Sequence, residues 1–177
     1  MKWPILPVMI GLALALCHIP ALHADTAQLG ANATAGDFVN ALKRPKMRGI
    51  VVHNANPAAE ANAPSVAVDI KFQLNSSTLT DEAKETIKQL ALAMKSDDLA
   101  TDRFRLDGHT DTTGKPGYNM RLSKRRAAAV RDYLIRTFGI KSNRLEAVGH
   151  GQTMLLDPAN PTSPVNRRVQ IVNLGEN

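Results

Sequence analysis

The sequence predicts an α/β (α+β) domain over residues 65–177, with elements in the order βαβαββ. Three observations carry this. Four short stretches alternate apolar and other residues, as strands with one buried face do. Two longer stretches place apolar residues at helical spacing. Strands alternating with helices, then two strands in succession, suit a sheet with helices packed on it.

Met1 to Ala24 opens with Lys2, runs apolar from Ile5 to Leu16 and ends Ala21-Leu22-His23-Ala24 before Asp25. That pattern resembles a secretory signal peptide, residues 1–24, with a small residue before the cut. Lys2 is the only charged residue in it, so the net charge of +6 falls to +5 on cleavage. The single cysteine, Cys17, leaves with it, and the exported chain has neither disulfide nor thiol chemistry. Two rival readings are lipidation of Cys17, which the bulky Leu16 before it disfavours, and retention of Pro4 to Leu22 as a single anchor, which three prolines and His18 disfavour.

Residues 25–64 are rich in Ala, Asn and Pro and form an expected flexible segment. Phe38-Val39-x-x-Leu42 is one amphipathic turn that Pro45 would stop, and Lys43, Arg44, Lys46 and Arg48 add a basic run. The functional alternative for this segment is docking to another envelope protein or to acidic lipid headgroups.

Val66, Val68, Ile70 and Phe72 alternate as a first strand. Thr80 then caps a helix whose first turn holds Asp81 and Glu82, and Ala83, Ile87, Leu90 and Met94 make its core stripe. The second strand, Arg103–Asp107, buries Phe104 and Leu106 and exposes the charges between them. A Gly/Pro-rich loop leads to a long helix from about Tyr118 that Gly139 closes. Residues 144–149 and 168–172 give the last two strands, joined by a loop that carries three prolines.

Within the long helix Arg126 shares a face with Asn119, Leu122, Val130 and Tyr133, all within about 60° of it at 100° per residue. A guanidinium turned toward the protein body must be paired, and Asp111, at the end of the preceding strand, is the nearest candidate in chain order. Two readings stand: a structural Asp111–Arg126 ion pair, or two groups flanking a pocket where Asp111 takes an ammonium and Arg126 a carboxylate by a two-pronged contact.

Gly108-His109-Thr110-Asp111, then Tyr118-Asn119 with Leu122-Ser123-x-x-Arg126-Ala127-x-x-Val130, and finally Asn166-Arg167-Arg168-Val169 resemble the peptidoglycan-binding domain of the OmpA family. The likeness covers about residues 65 to 174. It implies a mixed four-stranded sheet packed on two main helices, and a ligand in the diaminopimelate side chain of the cell-wall stem peptide, whose free end is an ammonium beside a carboxylate. By the same resemblance Asn75 and Arg167 line the diaminopimelate site around Asp111 and Arg126, and with them Thr113 and Asn119 are expected to satisfy its remaining donors and acceptors. Asn166 holds its turn, and Arg168 points away from Arg167. Many members carry Gly-Arg-Ala before Asn-Arg-Arg-Val, where this chain has Thr162-Ser163-Pro164-Val165.

The reading is therefore a non-enzymatic module without cofactor or metal, exported to the periplasm, bound to peptidoglycan and associated with the outer membrane. A membrane-anchored wall-binding protein of an envelope or stator complex is the alternative. A hydrolase using His109 and Asp111, with Asp107 and His150, lacks the usual zinc-ligand spacings. A pI near 9.7 admits nucleic acid, but the few aromatics and the export signal count against it. Residues 25–64 are too few for an eight-stranded spanning barrel.

Overall fold

The computed structural model describes residues 27–44 and 63–176. The expected signal peptide, Cys17, Lys46 and Arg48 lie outside the described residues. Along the chain run β1 (Ala27–Leu29), α1 (Ala35–Leu42), β2 (Ser65–Val68), α2 (Asp81–Met94), β3 (Asp102–His109), α3 (Pro116–Phe138), β4 (Leu145–Gly151) and β5 (Val169–Glu176). Short 3-10 turns occupy Ser142–Arg144 and Pro164–Asn166.

The strands pair in the order β1-β2-β5-β3-β4. The mixed four-stranded sheet expected from the sequence is its larger part: β5 runs antiparallel to β2 and β3, and β4 parallel to β3. A fifth strand, β1, extends it parallel to β2. Val66, Val68, Phe104, Leu106 and Ile171 meet the helix stripes of Ile87, Leu90, Met94, Val130 and Leu134 in one apolar core.

Part of the segment expected to be flexible is folded. Thr34 and Asp37 form a reciprocal capping box at the start of α1, with Thr34 N donating to Asp37 Oδ2 at 2.8 Å and Asp37 N to Thr34 Oγ1 at 3.3 Å. Phe38 and Leu42, one turn apart, are fully buried in the common core, and α1 lies against α2. Asn173 Nδ2 donates to Leu42 O at 2.9 Å, and Arg44 Nη2 to Asn173 O at 3.0 Å. The apolar turn was visible in the sequence, but not the two bonds that bind it to β5.

The first strand is shorter than its alternation suggests. Val68 pairs with Val169 at the very start of β5, so no partner continues beyond it. The chain turns, Ile70 N donating to Val68 O at 3.0 Å, and sets Phe72 opposite Leu79 in an isolated bridge. Asp107 also departs from expectation. It is buried, because Arg105 Nε donates to its carboxylate at 3.0 Å and His150 Nε2 lies 3.2 Å from it.

Helix α3 begins with Pro116 in its first turn and ends at Gly139, left-handed with φ 66°. It lies close on β3 and β4. A Cβ at Gly108 would meet Ser123 O at 2.3 Å, and one at Gly149 would meet Lys124 N at 2.5 Å. This approach turns Asn119, Leu122, Ser123, Ala127, Val130 and Leu134 to the sheet. Arg126 is thereby moved from the centre of the buried stripe to its flank, where it is partly buried.

Candidate functional site

Sheet topology gathers the candidate residues at one end of the molecule. Gly108 pairs with Val169 and His109 N donates to Arg168 O at 3.0 Å, so the end of β3 lies beside the start of β5. Val68 pairs with the same Val169, which brings the end of β2 and the 69–72 segment there too. Thr110 N donates to Gly151 O at 2.8 Å and ties in the end of β4. A cleft of about 210 Å³ opens at this end, with Lys71, Phe72, His109, Arg126, Arg167 and Arg168 in its walls.

Asp111 is buried at the edge of this region. Its Oδ1 accepts from Thr113 N at 2.9 Å and its Oδ2 from Arg167 Nη1 at 2.8 Å. Burial opposes its ionisation, but the Arg167 guanidinium and the Thr113 N–H outweigh it and hold the carboxyl below its ordinary value. The direct Asp111–Arg126 pair is not formed: the ion-pair partner is Arg167, which the antiparallel β3/β5 register places alongside.

Arg126 is held differently. Its Nε donates to Ser76 O at 3.0 Å, and its guanidinium carbon lies 4.9 Å from the Phe72 ring centre. Burial lowers its pKa, and the charge of Arg167 works in the same direction, while Tyr118 and Asp111 oppose it. It stays charged at any physiological pH. Among the described residues its two terminal nitrogens have no protein partner, and its side chain lines the cleft.

The other expected site residues divide. Arg167 is half-exposed at the cleft, between Asp111 and solvent. Thr113 supports Asp111 through its backbone. Asn119 is buried beneath the loop, its Nδ2 facing Asp111 O at 3.2 Å, Thr113 O at 3.1 Å and Gln152 Oε1 at 2.7 Å. With its amide so engaged it braces the loop and offers the cleft no donor. Asn75 is exposed at the third position of a Gln73–Ser76 turn, with φ 52°, and that turn presents the Ser76 carbonyl to Arg126.

Two participants were not anticipated: Phe72 under Arg126 and the Ser76 carbonyl. Phe72 was legible only as a strand residue; a carbonyl acceptor has no sequence signature. Asn166 does organise its loop, Oδ1 accepting from Leu156 N and Asp157 N at 2.9 Å each. Arg168 is buried, reaching Met154 O at 3.3 Å, and burial pushes its pKa down to about 10.

The residues of the hydrolase reading do not converge on Asp111. His109 is buried and stacked on His150 at 5.0 Å, and burial, with Arg168 nearby, pushes its pKa down to about 3. His150 pairs with Asp107 instead. Among the described residues no cluster of His, Cys, Asp and Glu is arranged to hold a metal.

Outer membrane porin F of Pseudomonas aeruginosa is 37% identical over 125 residues, 66% of this chain and 35% of that protein. Outer membrane protein A of Bordetella avium is 37% identical over 124 residues, 67% of this chain and 61% of that one. The chain thus spans between about a third and three fifths of the length of these relatives. In fold it is similar to the OmpA-like domain of FopA1 from Francisella tularensis, with a TM-score of 0.54 at 24% identity over 88% of this chain and 94% of that one. The OmpA family model matches residues 71–169, more than half of the chain and most of the residues that line the cleft. The chain belongs to the OmpA family.

Proposed function

We propose that the protein binds peptidoglycan non-covalently, through the zwitterionic end of the diaminopimelate side chain of the stem peptide, and so tethers an envelope component to the wall. One observation carries the reading. Arg126 is fixed through Nε and by the Phe72 ring, its two terminal nitrogens have no partner among the described residues, and the buried, ionised Asp111 acts on its charge. A planar fork held at its root suits a carboxylate by two parallel bonds. Asp111 Oδ1 accepts from the Thr113 N–H and Oδ2 from Arg167, the Thr113 side chain also bonds the carboxylate, and the acceptor capacity that remains suits an ammonium. Arg167, shared between Asp111 and the cleft, offers remaining donors to the same carboxylate.

Membership of the OmpA family and the outer-membrane names of the relatives support a place in the periplasm, next to the outer membrane. No catalytic step is assigned. Cosedimentation with purified sacculi tests the reading. Wild-type protein should pellet, Arg126→Ala should remain in solution, and Arg126→Lys should recover little, because an ammonium cannot copy the fork. A Lys variant that pelleted as well as wild type would overturn the two-pronged contact.

A further inference from the structure

The charge of this protein is unevenly spread over its helices. On α2 the charges pair along the helix, Lys84 with Asp81 at 2.7 Å and Lys88 with Glu85 at 3.1 Å. That is the usual solvated face. On α3 six basic residues, Arg121, Lys124, Arg125, Arg126, Arg131 and Arg136, face a single acid, Asp132, which Arg131 occupies at 3.2 Å. Arg121, Lys124 and Arg125 are exposed, and among the described residues none of them has a carboxylate within 4 Å.

Their direction matters as much as their number. At 100° per residue Arg121 and Lys124 point about 140° and 160° away from Arg126, and Arg125 about 100°. The cleft therefore opens on one side of α3 and the unpaired cations on another. Met120, one turn before Lys124 and about 40° from it, is 41% exposed at the edge of this face, with its backbone against Gly151.

We propose that the solvent face of α3, built from Met120, Arg121, Lys124 and Arg125, is a docking surface for a bilayer bearing anionic phospholipids. These side chains span about 140° of the helix circumference, with Lys124 and Arg121 nearest its middle. Each cation near an anionic leaflet adds to the attraction, and an exposed methionine can enter the headgroup boundary. A soluble polyanion would use the charges but not Met120. With the cleft directed elsewhere, one molecule can hold a wall peptide and a membrane surface together, and it needs no spanning helix in the described residues to do so.

The test is vesicle cosedimentation of the protein in its exported form. Vesicles of phosphatidylglycerol mixed into phosphatidylcholine are compared with vesicles of phosphatidylcholine alone. Binding should require the anionic lipid and weaken as salt is raised. Replacing Arg121, Lys124 and Arg125 together by Gln, a good helix former, should lower it about tenfold or more. The same triple variant should pellet with sacculi as wild type does, while Arg126→Ala should lose sacculi and keep vesicles. Vesicle binding that survives the triple substitution overturns the proposal, as does its absence at low salt. So does binding to soluble polyglutamate with none to vesicles, and none of these outcomes touches the wall-binding reading.

Discussion

Arg126 and Asp111 are both charged in surroundings that penalise charge, and each is held by a different neighbour. Asp111 has Arg167 and the Thr113 amide; Arg126 has the Ser76 carbonyl and the Phe72 ring. Because neither satisfies the other, both keep capacity for a ligand. The motif spacing had brought them to one end of the sheet, but the bare sequence could not separate an ion pair from a pocket. The structure pairs Asp111 with Arg167 instead, 56 positions away and adjacent only through the β3/β5 register. His109 gives a second prediction at this scale. Its folded pKa of about 3 lies below the ordinary 6.5, so its contribution to stability is complete above about pH 6.5 and is lost as pH falls toward 3. In urea melts the wild type should lose about 1.4 kcal/mol per pH unit more than His109→Gln across that interval. Equal slopes would mean that His109 protonates as freely when folded as when unfolded.

Among the elements, those with a local periodic signature were legible: α2 from its Thr80 cap and apolar stripe, β3 from Phe104 and Leu106, α3 from the unbroken run up to Gly139. What failed depended on partners distant in sequence. The end of β2 is set by where β5 begins, and the burial of Asp107 by His150 on β4. Helix α1 spans only 8 residues among Ala, Asn and Gly, and its stability comes from docking rather than propensity. Phe38→Ala should therefore cost about 3–5 kcal/mol, the cost of emptying a core site, whereas a flexible segment would show no change in the urea midpoint. The approach of α3 to β3 makes a sharper demand at Gly108. A methyl there meets a backbone carbonyl rather than a movable side chain. Gly108→Ala should destabilise by about 3 kcal/mol or more in the same melts, and an unchanged midpoint would contradict the closeness of that contact.

For the molecule as a whole, the segment after β2, the end of β3, α3 and the approach to β5 line one cleft, and α3 separates that cleft from a face of cations that have no carboxylate partner among the described residues. Net charge alone pointed only to some anionic partner. On the two readings proposed above, its placement divides the work between a pocket for a zwitterion and a surface for an anionic plane. Calorimetric titration with a muropeptide carrying diaminopimelate, beside one carrying lysine in its place and beside the Asp111→Ala variant, tests the central claim most directly. Heat of binding with the diaminopimelate peptide alone, lost in the variant, is the predicted result. Equal binding of the lysine peptide, which lacks the carboxylate beside its ammonium, would contradict the account.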